Sequence, residues 1–161
     1  VHYRMLAQFP ELLECLFENY ERSRLGEEFG DEARWYSIPI LTELNGKLTS
    51  HYSRTFIESA QLHAGVSKMT DRQWRAIDAM HEIAEELAFE DEILPGEIQL
   101  LNNHVIFHGR TAYKDAAGKP PRLLHRLWLS MPNSRQLPES HQVLFHNVGA
   151  GELRGGIPAR V

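Results

Sequence analysis

The sequence has a single cysteine, no long apolar run and no long run of basic residues. Cys15 alone excludes an internal disulfide framework, and this cysteine usage suits a reducing cytoplasm. No apolar stretch approaches the roughly 20 residues that a helix needs to cross a bilayer, so we expect no membrane partner. The net charge is −5 at pH 7. We therefore expect no nucleic-acid partner either.

Familiar catalytic motifs are also missing. The chain has no G-x-S-x-G, no Walker loop and no H-E-x-x-H, which argues against the hydrolase, nucleotidase and zinc-protease classes that carry them. Gly149, Gly151 and Gly155 only loosely resemble a phosphate loop, and no helical pattern follows them. We interpret the residues after Met131 as a tail on the surface.

The order of hydrophobic patterns in the 161 residues favours one α+β domain. Two helices are predicted first, the second with an apolar stripe that runs from Leu12 to Tyr20. A β-hairpin is predicted in which the strands "WYSIPILTEL" (35–44) and "KLTSHYS" (47–53) flank Asn45-Gly46. A long helix is predicted after the capping-box pair Thr70 and Gln73. Further strands are predicted over residues 97–103, 104–113 and 122–130, so the architecture is an antiparallel α+β fold or a jelly roll.

The segment "NNHVIFHGR" (102–110) places polar residues in what reads as a buried strand. A histidine in such a place is more often hydrogen-bonded to the backbone than bound to a ligand. Asn102 and Asn103 are likewise more often turn amides. His108 is still a candidate metal ligand, because a polar loop follows it and the next predicted strand carries an arginine fourteen residues later.

The last predicted strand, "RLLHRLWLS" (122–130), carries Arg122 and Arg126 on one face. Both faces are largely apolar, and a buried guanidinium is costly unless it meets an anion. At ~3.3 Å per residue the two arginines are ~13 Å apart, too far to share one carboxylate easily. One or both bind a ligand's anionic groups, or they pair with Glu or Asp of a neighbouring element, and the sequence leaves both possibilities open.

"PGEIQLLNNHVIFHGRTAYKD" followed by "PRLLHRLWLS" resembles the C-terminal half of the taurine dioxygenase-like (TauD/TfdA) family. The similarity extends back through "YSIPILTELNGKLTSHYSRTFIESAQ" and forward into "RGGIPAR". The resemblance implies a double-stranded β-helix (jelly roll) with helical insertions, and Fe(II) and 2-oxoglutarate as cofactors. It implies that His108 is an iron ligand, that Arg122 binds the far carboxylate of 2-oxoglutarate, and that Arg126 lies by the substrate or cosubstrate.

The sequence departs from this family in one important motif. The family's other two iron ligands form an H-x-D or H-x-E motif, and none of the nine histidines has Asp or Glu two residues later. Because the chain begins with Val1 at a position after that motif in the family, we expect residues 1–161 to be the C-terminal portion of a dioxygenase domain. We expect this portion to be inactive alone.

The resemblance therefore predicts a dioxygenase that hydroxylates a small, anionic or zwitterionic substrate and releases succinate and CO2, and the cysteine usage predicts that it is cytoplasmic. Its partners would be that substrate and O2, and assembly into a homo-oligomer stays open. Tyr52 and Arg54 are candidate pocket residues, although ordinary strand packing is the more common explanation for both. The alternative is a non-catalytic jelly-roll binding module that has lost the iron site.

Overall fold

The structure is a computed structural model that describes residues 1–28, 30–112, 118 and 123–154. Helices α1 (His2–Gln8) and α2 (Pro10–Cys15) begin the chain, as predicted. Pro10 lies in the first turn of α2, where its missing N–H removes no helical hydrogen bond. The predicted continuation of the helical stripe through Tyr20 is wrong, because the chain turns after Cys15 and Tyr20 pairs its backbone in a strand.

The described strands form two antiparallel pairs. Strand β1 (Asn19–Ser23) pairs with β2 (Trp35–Pro39). Strand β3 (Leu41–Leu44) pairs with β4 (Lys47–Ser50). The single long strand that the sequence predicts before the hairpin is thus divided into β2 and β3, and each half belongs to a different pair.

The predicted turn between β3 and β4 is confirmed. Asn45 has φ 53° and Gly46 has φ 70°. A two-residue type I′ turn needs positive φ at both central positions, and Asn-Gly is the pair that adopts it most readily. The turn residues therefore set the register in which Leu44 pairs with Lys47.

Two helices follow the hairpin, α3 (Arg54–Ala60) and α4 (Asp71–Glu86). Helix α4 is confirmed with its capping box: the Gln73 amide donates to the Thr70 hydroxyl at 3.2 Å, and the Thr70 amide donates to Gln73 Oε1 at 2.9 Å. Helix α3 is missing from the predictions. Its signals in the sequence are an N-cap residue, Ser53, and one buried face.

The core lies between α1, α2, α3, α4 and the two strand pairs. Cys15 is fully buried there and burial raises the pKa of its thiol, in agreement with its interpretation as an inert core residue. The buried members of the cluster are Met5, Leu12, Leu13, Cys15, Leu16, Tyr20, Ile40, Leu41, Ile57, Ala76, Ile77, Met80 and Ile83.

The described residues between 87 and 131 contain no strand. The predicted strands over 97–103, 104–113 and 122–130 are therefore wrong wherever the structure describes them. All of residues 123–130 are exposed, whereas the sequence predicts burial on both faces. A strand needs a neighbour for its N–H and C=O groups, and the described part of the chain offers none beside this segment. The double-stranded β-helix stays a prediction.

Most of the described tail is exposed or half-buried, as expected for a surface segment, but it packs onto the strands at two buried residues. A 3₁₀ turn (Glu139–His141) leads into the short helix α5 (Gln142–Phe145), and Leu137 and His141 are buried. Arg135 Nη1 donates to the Leu48 carbonyl at 2.8 Å, which ties the tail to β4. Within the described residues no helix is long and apolar enough to cross a membrane.

Candidate functional site

His108, the predicted iron ligand, lies in an exposed irregular segment after a turn. Its neighbour Phe107 points inward, with its ring edge-on to Tyr52 and the centroids 6.0 Å apart. This contact fixes the segment against the core at Phe107. The imidazole of His108 stays in solvent, so the predicted burial of this strand is wrong here.

The preceding polar residues form a turn. Asn102 Oδ1 accepts from the His104 amide at 3.1 Å, and the Asn102 carbonyl accepts from the amides of Val105 and Ile106. Asn102 is therefore a turn amide, the more ordinary of its two interpretations. The His104 carbonyl accepts from the Ser50 amide at 3.2 Å, which holds the turn beside β4.

Tyr52 and Arg54 lie at the start of α3 and not in a strand. Arg54 donates to Glu58 at 2.7 Å and to Asp78 at 2.7 Å, and these pairs raise its pKa. Two carboxylates thus already occupy the Arg54 guanidinium, which leaves it poorly suited to an anionic ligand. The Tyr52 hydroxyl is buried, and burial raises its pKa, although the neighbouring Arg54 guanidinium opposes this shift.

The two candidate arginines are placed differently. Arg126 is exposed, and no described element covers it. Arg122 lies outside the described residues, so its predicted role as the 2-oxoglutarate anchor stays a prediction. The structure does not bring His108 and Arg126 into one enclosed pocket.

A mononuclear iron site of the predicted kind needs three protein ligands close together. Among the residues that the structure describes, no group of three or more His, Cys, Asp or Glu side chains could hold a metal ion. The described residues therefore do not fit a complete iron site. His108 offers one imidazole in an open position.

A second polar centre, of which only Tyr52 is among the predicted residues, is buried beside β1. Arg22 is fully buried, and its Nη2 donates to the His51 carbonyl at 2.5 Å. His51 Nε2 lies 3.4 Å from the Tyr36 hydroxyl. The ring of Phe145 contacts both His51 and His141, with centroids 6.4 and 6.2 Å away. We refer to Arg22, His51, Tyr52 and His141 as the Arg22 centre.

Burial and the nearby positive charge keep the histidines of this centre neutral. Burial, then Arg22, then His141 lower the pKa of His51 to about 3. Burial, His104, Arg22 and Arg154 lower the pKa of His141 to about 4. Burial lowers the pKa of Arg22 itself to about 10, so it is still charged at neutral pH. The signal available in the sequence was alternation, which places Arg22 on the same face as the buried Tyr20.

The chain is similar to a known protein family over most of its length. The model of the family described as "Taurine catabolism dioxygenase TauD, TfdA family" matches residues 2–128. The chain belongs to this family. The match includes α1 to α4 and the positions of His108, Arg122 and Arg126.

Two curated relatives agree with membership of the TauD, TfdA family. FR-33289 synthase of Streptomyces rubellomurinus is 31% identical over 146 residues, which is 87% of this chain and 43% of that protein. Taurine hydroxylase-like protein SAT17 of Stachybotrys chartarum is 30% identical over 125 residues, or 76% of this chain and 31% of that protein. The chain thus spans less than half the length of either relative.

Proposed function

We propose that the whole protein is an Fe(II)- and 2-oxoglutarate-dependent dioxygenase. It hydroxylates a small, anionic or zwitterionic substrate with O2 and converts 2-oxoglutarate to succinate and CO2. The observation that carries the proposal is the TauD, TfdA family match over residues 2–128. Taurine, which the family description and one relative's name contain, is a small zwitterion and supports a substrate of that class.

In this proposal His108 is one iron ligand, Arg122 binds the far carboxylate of 2-oxoglutarate, and Arg126 binds the substrate or cosubstrate. The exposure of His108 and Arg126 means that the described residues do not enclose them. The remaining ligands would come from an H-x-D or H-x-E segment of the whole protein. Residues 1–161 alone would then be inactive.

A non-catalytic binding module is the second candidate. It is favoured by one observation, namely that the described residues hold no cluster of three metal-binding side chains. The two candidates differ in what the whole protein does with iron, so a measurement on the whole protein separates them.

The test measures Fe(II) binding and succinate formation from 2-oxoglutarate by the whole protein, by residues 1–161 alone, and by two histidine variants. We expect the whole protein to bind one iron and form succinate, and the short chain to do neither. His108→Ala should lose at least about 100-fold in succinate formation, because an incomplete ligand set holds the metal poorly. His104→Ala, four residues away in the same segment, is the matched control and should stay near the native rate.

Two results would overturn the proposal. A whole protein that binds no iron would favour the binding module. Equal rates for the His108→Ala and native proteins would remove His108 from the iron site. Circular dichroism of each variant shows whether the fold is intact.

A further inference from the structure

The Arg22 guanidinium is enclosed without an acidic partner among the residues that the structure describes. Its side chain has no exposed surface, and its only hydrogen bond with the described residues runs from Nη2 to the His51 carbonyl. Its Nε and Nη1 are buried and make no hydrogen bond to any described residue. A buried charge in this state is strongly unfavourable unless a counter-ion or further acceptors meet it.

The polar groups around Arg22 offer it few hydrogen-bond acceptors and are themselves possible donors. His141 Nε2 is buried and has no hydrogen-bond partner among the described residues. The Tyr52 hydroxyl is also buried, and its neighbour Arg54 can donate to it but cannot accept from it. His141 Nδ1 lies 3.3 Å from the Ser140 hydroxyl. If Nδ1 accepts from Ser140, the proton of the neutral ring is on Nε2, which is then a donor. Guanidinium, phenol and imidazole can therefore all donate.

The charge of the centre is positive and is not balanced by the described ion pairs. The neighbouring groups that affect the pKa of Arg22 are the phenols of Tyr36, Tyr52 and Tyr20, and no described carboxylate is among them. Burial raises the pKa of each of these phenols, so they are neutral at pH 7 and do not balance the charge. Arg24, the next arginine along the chain, is by contrast paired. It contacts Glu32 at 3.5 Å, donates to two carbonyls and lies over the Tyr36 ring.

We propose that the Arg22 centre binds a small oxyanion of the carboxylate or phosphate class. Such an ion carries several acceptor lone pairs and a negative charge, and charge-assisted hydrogen bonds to guanidinium are among the strongest in proteins. A buried water molecule would satisfy donors but would leave the charge unbalanced. The centre shares no residue with His108, Arg122 and Arg126, so this inference does not depend on the proposed dioxygenase activity.

The test is an NMR titration of residues 1–161 labelled with ¹³C,¹⁵N-arginine, without iron or 2-oxoglutarate. The Nε–H signal of Arg22 is assigned through its bonds to the backbone amide. Sodium phosphate, sodium acetate and sodium chloride are added in parallel at equal ionic strength. We expect phosphate or acetate to shift the Arg22 signal saturably, with little effect on Arg24, and chloride to leave it in place. Phosphate alone would indicate the phosphate class, and acetate alone the carboxylate class.

Matched variants add a second readout. The melting temperature of the native chain should rise with the anion that shifts Arg22. Arg22→Lys should lower the affinity for the anion about tenfold or more, because an ammonium keeps the charge without the planar fork. The rise in melting temperature at a given anion concentration should therefore be smaller. Arg24→Lys removes a paired guanidinium two residues away and should keep the response.

An Arg22 signal that responds to neither phosphate nor acetate more than to chloride would overturn the proposal. The proposal would also be overturned if the anion raised the melting temperature of the native and Arg22→Lys chains equally. If Arg22→Lys fails to fold, the titration of the native chain decides alone. Because no iron is present in these measurements, their failure would leave the proposed dioxygenase function untouched.

Discussion

His51 and His141 lie in surroundings that oppose their protonation. Both are neutral in the folded chain down to acidic pH, since burial and Arg22 lower their pKa values to about 3 and about 4. An unfolded histidine has a pKa near 6.5. Between these values the unfolded chain binds more protons than the folded chain, so acid favours unfolding.

We therefore expect the free energy of unfolding to be highest above pH 6.5 and to fall as the pH drops from about 6.5 towards 4. His141 alone would account for about 3 kcal/mol of this loss, an order-of-magnitude figure. The measurement is urea unfolding at pH 7, 6 and 5. His141→Phe keeps a ring against Phe145 and removes the titration, so its stability should depend less on pH.

The control for this prediction is His81→Gln, since His81 lies on α4 with a partly exposed side chain. This variant should keep the pH dependence of the native chain. A native chain whose stability is the same at pH 5 and pH 7 would contradict the assignment of buried neutral histidines.

Single-residue roles could be predicted only where local chemistry determines them. The burial of Cys15 follows from its place among leucines on one helix face. The Arg22 centre is different, because its members come from β1, from the end of β4 and from the tail near residue 141. No local pattern in the sequence indicates that these distant segments contact one another.

At the scale of elements, α4 depends on its capping box. Thr70→Ala removes the side chain that accepts the Gln73 amide, and we expect a loss of about 1 kcal/mol in the free energy of unfolding. Thr55→Ala on α3 is the matched control, because Thr55 is exposed and has no capping role. That control should stay within about 0.5 kcal/mol of the native chain. Equal values for the two variants in urea unfolding would show that the cap does not stabilise α4.

The elements predicted correctly carry strong local signals. The Asn45-Gly46 turn and the Thr70–Gln73 cap each specify a backbone geometry within four residues. The strands predicted after residue 96 rest instead on apolar composition, and composition cannot supply the neighbour with which a strand must pair. Helix α3 is absent from the predictions for a different reason. It has only seven residues, and its N-cap residue, Ser53, makes no side-chain capping hydrogen bond.

At the scale of the whole molecule, the described chain leaves a row of large apolar side chains in solvent. Leu123 is 77% exposed, Leu127 82% and Trp128 60%. Exposed apolar residues in such number mark a surface that is covered by other parts of a protein or by a partner. In the proposed jelly roll they would be covered by strands of the whole protein.

We therefore expect the amides of residues 123–130 to exchange with deuterium at least about tenfold more slowly in the whole protein than in residues 1–161. The amides of α4 should exchange at similar rates in both. Fast exchange of residues 123–130 in the whole protein would contradict the jelly-roll proposal.

The most direct test of the dioxygenase proposal is the affinity of the iron-loaded whole protein for 2-oxoglutarate in the absence of oxygen. If Arg122 binds the far carboxylate, Arg122→Ala should weaken that affinity by about 30- to 5,000-fold and leave iron binding unchanged. Arg122→Lys should recover part of the loss. Arg34→Ala, which removes an exposed charge, should bind as the native protein does. A native protein without measurable 2-oxoglutarate binding, or an Arg122→Ala variant with native affinity and a lowered melting temperature, would contradict the proposal.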